Sequence, residues 1–152
     1  MHYWLMKSEP DVFGIEDLKK KGHSPWDGVR NYQARNFMRD MKVGDLVLFY
    51  HSSCQPPGVA GLARVTRESY PDPSSWDKKS AYFDPRSRPD KPLWFMVDVE
   101  YVETFPHFVP LDQLKADGSL SGIRVTQRGS RLSVQPVEQK HFGRIQALGR
   151  AR

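Results

Sequence analysis

The sequence predicts an α+β fold built around a mainly antiparallel β-barrel with several short surrounding helices. Three observations predict it. Apolar and aromatic runs of strand length recur at residues 2–6, 46–50, 59–66 and 93–105. Segments of helical period lie between some of them, but they are short and lack the regular strand–helix alternation of a doubly wound sheet. Two of the runs, within Asp45 to Thr66, read as antiparallel strands joined by one longish polar loop.

Taken in order, His2 to Met6 is a buried strand, and Pro10, which has no backbone N–H, forbids continuing either ladder or helix. Ile15 to Lys21 is a short helix stopped by Gly22. Ser24 to Gly28 reads as a turn that carries Trp26 and runs into a helix starting near Val29, with Ala34, Phe37, Met38 and Met41 on its core face. Val43 to Asp45 is a turn, Leu46 to Tyr50 a strand covered on both faces, and His51 to Gly58 a polar loop. In the strand Val59 to Thr66, Gly61 marks a bulge or a close backbone approach.

Tyr70 to Pro92 holds five prolines and few aliphatic residues, yet Tyr70, Trp76, Tyr82 and Phe83 require something to pack on. An ordered loop wrapping the barrel is expected. Leu93 to Phe105 is the longest strand, Pro110 to Leu114 opens a short helix, Leu132 to Pro136 is a short strand, and Val137 to Leu148 is the terminal helix.

A chain of 152 residues is one domain, residues 1–152, able to bury a core without staples. One cysteine, Cys54, excludes an internal disulfide and fits a reducing compartment. No apolar run approaches a membrane span, and the first residues lack the pattern of a secretory signal, so a soluble cytoplasmic protein is expected, at the nucleoid or in the nucleus according to its host. The net charge of +5 is uneven: residues 101–152 carry eight basic against four acidic groups, among them Arg124, Arg128, Arg131, Lys140, Arg144, Arg150 and Arg152. Such an excess suits a polyanion or simple solubility. With 4 Trp, 6 Tyr and 8 Phe, much of the apolar mass is rings, which serve as core or as stacking surfaces.

No cofactor or metal is expected. His51 and Cys54 are the only soft ligands near each other in sequence, where a structural zinc wants four. The same pair could be base and nucleophile with Asp45 orienting the imidazole, although spacing alone does not set that geometry. Asp27, Asp45, Asp84 and Asp98 are dispersed and form no acid/base pair, and no glycine-rich segment has phosphate-binding spacing. Binding without catalysis is the leading expectation.

Two stretches, Tyr3-Trp4-Leu5-Met6-Lys7-Ser8-Glu9-Pro10 and Trp26-Asp27-Gly28-Val29-Arg30-Asn31-Tyr32-Gln33-Ala34-Arg35-Asn36, resemble an EVE domain. Gly44-Asp45 with Phe49-Tyr50-His51-Ser52, then Tyr82-Phe83-Asp84-Pro85, then Arg131 to Val137 fit the same family in the same order. The resemblance implies a PUA-like twisted β-barrel related to ASCH and YTH domains. It also implies a non-catalytic reader of DNA or RNA in which a modified, methylated or hydroxymethylated base is flipped into an aromatic pocket.

Under that implication Trp26 is the first candidate for the stacking ring, its alternative being a plug that seals the helix end. Tyr32 and Trp4 are further candidates, Trp4 being equally placed for the core. Tyr50 and His51 would form the rim. Asn31, Ser8, Ser53 and Gln135 would supply hydrogen bonds to base edges. Arg30, Arg124, Arg128 and Arg131 would grip phosphates. Two alternatives stay open: an enzyme acting on a modified base through His51 and Cys54, and a small-molecule module using the same cleft.

Overall fold

The computed structural model describes residues 1–128 and 131–151. Its centre is a six-stranded sheet in the order β2-β5-β4-β3-β1-β6, formed by β1 (Tyr3–Ser8), β2 (His23–Pro25), β3 (Leu46–His51), β4 (Gly58–Pro71), β5 (Phe95–Pro110) and β6 (Val134–Val137). All neighbours are antiparallel except β1 and β3. A parallel pair needs a crossover. Here residues 9–45 make it, with α1 (Pro10–Phe13), α2 (Ile15–Lys21), β2 and α3 (Tyr32–Asp40). The helices α4 (Leu111–Ala116) and α5 (Gln139–Arg150) follow the long strand β5.

Alternation along the strands feeds two cores. Trp4 and Met6 of β1, Val47 and Phe49 of β3, Ala63 and Val65 of β4, and Val97 and Val99 of β5 join Ile15 and Leu18 of α2 and Ala34 and Met38 of α3. Leu5, Leu48, Tyr50, Leu62 and Val109 join Leu114 of α4 and Phe142 and Ile145 of α5. Both faces of the central strands are therefore dry, which explains why β1 and β3 read as unbroken apolar runs. The sheet is twisted, and its hydrogen-bonded order ends at β2 and β6, so among the described residues it stays open where a barrel would close. The register between β4 and β5 shifts between Val59 and Gly61 and three more times along the pair, which bends long strands. A Cβ at Gly61 would lie 2.2 Å from the Glu103 carbonyl oxygen, so only glycine fits that approach.

Several boundaries differ from the sequence expectation, each for a local reason. Pro10 opens the single turn α1 at its first position, where no N–H is needed. Residues Ser24 and Pro25 are not a turn but part of β2, on the edge of the sheet, pairing with Val99 and Asp98; proline is tolerated on an edge. Helix α3 starts at Tyr32, three residues after Val29, because the Asn31 side chain accepts the Ala34 N–H at 2.9 Å and caps it there. Val137 belongs to β6, paired with Tyr3, and α5 begins after it. Strand β4 also runs on past Thr66 to Pro71. No helix among the described residues is long and apolar enough to cross a membrane.

Candidate nucleic-acid interface

The segment leaving β2 is held from two sides. The Trp26 N–H donates to the Val97 carbonyl at 2.7 Å, and the Gly28 N–H donates to Asp72 Oδ2 at 2.9 Å. Gly28 has φ +79°, and a Cβ there would stand 2.8 Å from the Tyr82 ring, so the ring lies directly on the turn. Asp72, whose side chain is wholly buried, also accepts from Arg30 at 3.1 Å and from the Ser74 backbone and hydroxyl. Arg30 also donates to the Tyr82 carbonyl (2.8 Å), the Val29 carbonyl (2.9 Å) and Ser74 Oγ (3.1 Å). This ion pair ties the proline-rich loop to the Trp26–Gly28 turn, and its hydrogen bonds compensate the burial of charge.

Between that turn and the end of β1 opens a cleft of about 630 Å³, within the range of small-ligand sites. One wall is Lys7, Ser8, Glu9, Val12 and Phe13; the other is Ser24 to Arg30 with Lys21; Tyr82 and Ser133 complete it. Burial pushes the Asp27 carboxyl above its ordinary value, and the charge of Asp72 adds to this, while its own backbone N–H, Arg30 and Lys21 pull the other way. Burial draws the Lys7 amine below its ordinary value.

Of the residues singled out from sequence, Ser8, Trp26 and Arg30 line this cleft. The Trp26 ring is only 8% exposed and meets Phe49 edge-on at 5.5 Å, so it is core and cleft wall at once. Ser8 Oγ donates to the Phe13 carbonyl at 2.6 Å. The others lie elsewhere. Trp4 is buried, its indole N–H donating to Asp45 at 3.0 Å. Tyr50 is buried in the core on the opposite face of the sheet, and burial, with the nearby Cys54, pushes its phenol up to about 12. His51 accepts the Ile15 N–H on Nε2 at 3.1 Å. Asn31 caps α3, and Tyr32 stacks on Trp94 at 4.8 Å with the Arg35 guanidinium 4.9 Å from its ring.

Ser53 sits in the exposed loop with φ +54°. Gln135 is buried in β6 and donates to the Leu132 carbonyl at 2.7 Å. Arg124 lies 5.5 Å from the Phe37 ring and lines a second cleft of about 300 Å³ with His141 and Glu138. Arg128 and Arg131 are exposed at either end of residues 129–130, which lie outside the described residues, as does Arg152. Arg131 is two residues before Ser133 of the cleft wall.

The Cys54 thiol is pushed up by burial and by the charge of Asp11, the reverse of what activates a nucleophile. His51 Nε2 is already engaged in accepting the Ile15 N–H. Among the described residues no three of His, Cys, Asp and Glu come together as metal ligands.

Beyond Ser8, Trp26 and Arg30, the cleft residues were not singled out from sequence, Lys7, Glu9, Val12, Phe13, Asp27, Tyr82 and Ser133 among them. Asp27 and Tyr82 did carry a signal, since they stand in the segments Trp26 to Asn36 and Tyr82 to Pro85, each beside a ring or a glycine. What was illegible is that the loop of Tyr82 folds onto the turn of Asp27, a contact set by Asp72.

The model of the EVE domain matches residues 2–148. Thymocyte nuclear protein 1 of Mus musculus is 45% identical, the match covering 97% of this chain and 73% of that protein. A solved Pseudomonas putida protein is 53% identical with a TM-score of 0.94, covering 97% of this chain and 99% of that one. The structure of human THYN1 protein in complex with 5-methylcytosine-containing DNA is 42% identical with a TM-score of 0.93, covering 100% of this chain and 99% of that one. An ASCH protein of Zymomonas mobilis, 10% identical over 97% of this chain and 99% of that one, shares the fold with a TM-score of 0.56.

Proposed function

The chain belongs to the EVE domain family, and from that premise we propose that it reads a modified base in DNA, 5-methylcytosine first among them, by receiving the extruded base in the cleft beside Trp26. The observation that carries this is the cleft itself, of about 630 Å³, lined by the aromatic residues Phe13, Trp26 and Tyr82, the acidic residues Glu9 and Asp27, and serines. It is supported by the solved complex of human THYN1 protein with 5-methylcytosine-containing DNA, which this chain matches along its full length.

Extrusion costs a few kcal/mol, and stacking on a ring returns about 1–3 kcal/mol. Tyr82, 40% exposed, offers the open stacking face, and Trp26 closes the inner wall. The side chains of Val12 and Phe13 supply apolar surface for a methyl group, worth about 0.8 kcal/mol or roughly fourfold in affinity. A larger preference for a methyl requires a steric fit to the larger edge, whereas a hydroxymethyl group can also meet a polar partner. Ser133 and Ser8 line the cleft, Ser8 with its hydroxyl proton on the Phe13 carbonyl and so able only to accept. Arg30 holds Tyr82 and Asp72 in place, so its proposed role is positioning, while Arg124, Arg128 and Arg131 remain the proposed phosphate contacts.

Titration with duplexes that differ in one cytosine, 5-methylcytosine or 5-hydroxymethylcytosine tests the proposal, with a matched RNA alongside. Tighter binding of a modified duplex, lost in Tyr82→Ala or Trp26→Ala, is expected. Equal binding of all the duplexes, together with unchanged binding in Trp26→Ala, would overturn it. The proposed role leaves the base unaltered, so the mass of the oligonucleotide should be the same after incubation; a changed mass would indicate an enzyme.

A further inference from the structure

Within the cleft, Asp27 occupies a defined place. Its neighbours on both sides are pinned through their backbone N–H groups, Trp26 to Val97 at 2.7 Å and Gly28 to Asp72 at 2.9 Å. The ring of Trp26 precedes it in the wall, and the ring of Tyr82 lies against the Gly28 Cα that follows it. Asp27 thus lines the cleft between these two rings, where a flat ligand entering it meets an acidic side chain. Among the described residues that carboxyl forms no ion pair, although Lys7, Lys21 and Arg30 line the same cleft. Arg30 is committed to Asp72.

Resting on the reader function above, we propose that Asp27 reads the polar edge of the extruded base, accepting from its exocyclic amino group and holding one proton jointly with the adjacent ring nitrogen, so that the cleft selects a 4-aminopyrimidine over a 4-oxopyrimidine. A carboxylate is the side chain that accepts from the cytosine amino group. Its second oxygen then faces the ring nitrogen lone pair, and a proton between the two turns repulsion into a charge-assisted bond. No covalent bond is made or broken: the complex takes one proton from solvent on binding and returns it on release.

Burial, first, and the charge of Asp72 raise the proton affinity of Asp27, while its own backbone N–H, Arg30 and Lys21 lower it; Lys7 and Glu9 are the other charged residues of the cleft lining. Thymine carries the same methyl group but presents a carbonyl and an N–H. The ionised carboxylate sets two oxygens face to face, and a proton shared with that carbonyl, far less basic than the cytosine ring nitrogen, makes a weaker bond.

The test uses the full chain and two single-stranded oligonucleotides, identical except for one 5-methylcytosine or one thymine, titrated from pH 5.5 to pH 8. Phosphate contacts and extrusion cost then cancel in the ratio. The wild type should prefer 5-methylcytosine by about tenfold or more near pH 6. That affinity should fall as pH rises, by at most one log unit per pH unit, because one proton is taken up. Asp27→Asn should keep binding 5-methylcytosine with no pH slope and should accept thymine about equally, since an amide pairs with either edge by turning over. Asp27→Ala should lose both affinity and slope.

A wild-type affinity independent of pH would overturn the inference. So would an Asn variant that retains the wild-type ratio and slope, or one that is folded and no longer binds 5-methylcytosine. Failure of the reader function has a different signature, because Tyr82→Ala would then leave binding to either oligonucleotide unchanged.

Discussion

At the scale of single residues, His51 shows how a side chain at a strand end is recruited to the fold. Burial holds its imidazole below the ordinary 6.5, with the charge of Asp17 pulling the other way, and the neutral Nε2 accepts the Ile15 N–H that opens α2. A depressed folded value means that this contribution is complete above about pH 6.5 and is lost as pH falls through the folded value. The melting temperature of the wild type should therefore decline between pH 7 and pH 5 more than that of His51→Gln, which keeps an acceptor. Parallel declines in the two proteins would refute the assignment. Trp26 was legible as a special residue because a helical core does not need a ring in a turn, but whether it faces core or ligand was not; it does both. Tyr50 and Trp4 read as rim or pocket candidates, yet alternation along β3 and β1 sends them into the two cores. Periodicity gives the sides of a strand but not which side meets a cleft.

At the scale of elements, the Pro-rich loop after β4 is the part that completes the site. It is held by Asp72 on Gly28 and Arg30, by Ser75 Oγ against Ser87 Oγ at 2.8 Å, and by the Trp94 indole N–H donating to Asp84 at 2.8 Å. Replacing Asp72 with Ala leaves the half-buried Arg30 and the Gly28 N–H without their acceptor, which costs about 1–3 kcal/mol. Urea unfolding should report that loss, and amide exchange should rise first in residues 73–92 and at Gly28. Stability within about 0.5 kcal/mol of the wild type would show that the loop is held by other contacts. Helix α2 was legible to its boundaries because Gly22, at φ +85°, stops it. Strand β2 was not, since three residues containing a proline carry too little pattern. Its pairing with β5 is a long-range contact that sequence spacing does not encode.

At the scale of the molecule, the two-sided burial of the sheet explains the mixture of strands and short helices that made the α+β class legible. Whether the ends of a sheet meet is decided by hydrogen bonds between strands far apart in sequence, so openness at β2 and β6 could not be read from the chain. The basic last third also divided on folding: Arg144 pairs with Asp117 at 2.8 Å and Arg150 pairs with Glu103, while Arg128 and Arg131 stay exposed near the segment that leads into the cleft wall. The crossover from β1 to β3 carries the turn that the cleft is built on, and the loop after β4 closes over it. A structure of the chain bound to a duplex carrying one 5-methylcytosine is the most direct measurement. The modified base should stand outside the helix, on Tyr82 beside the wall of Trp26, with its amino edge toward Asp27; a base still stacked in the duplex, with the DNA lying against Arg124 to Arg131 and the cleft empty, would contradict this.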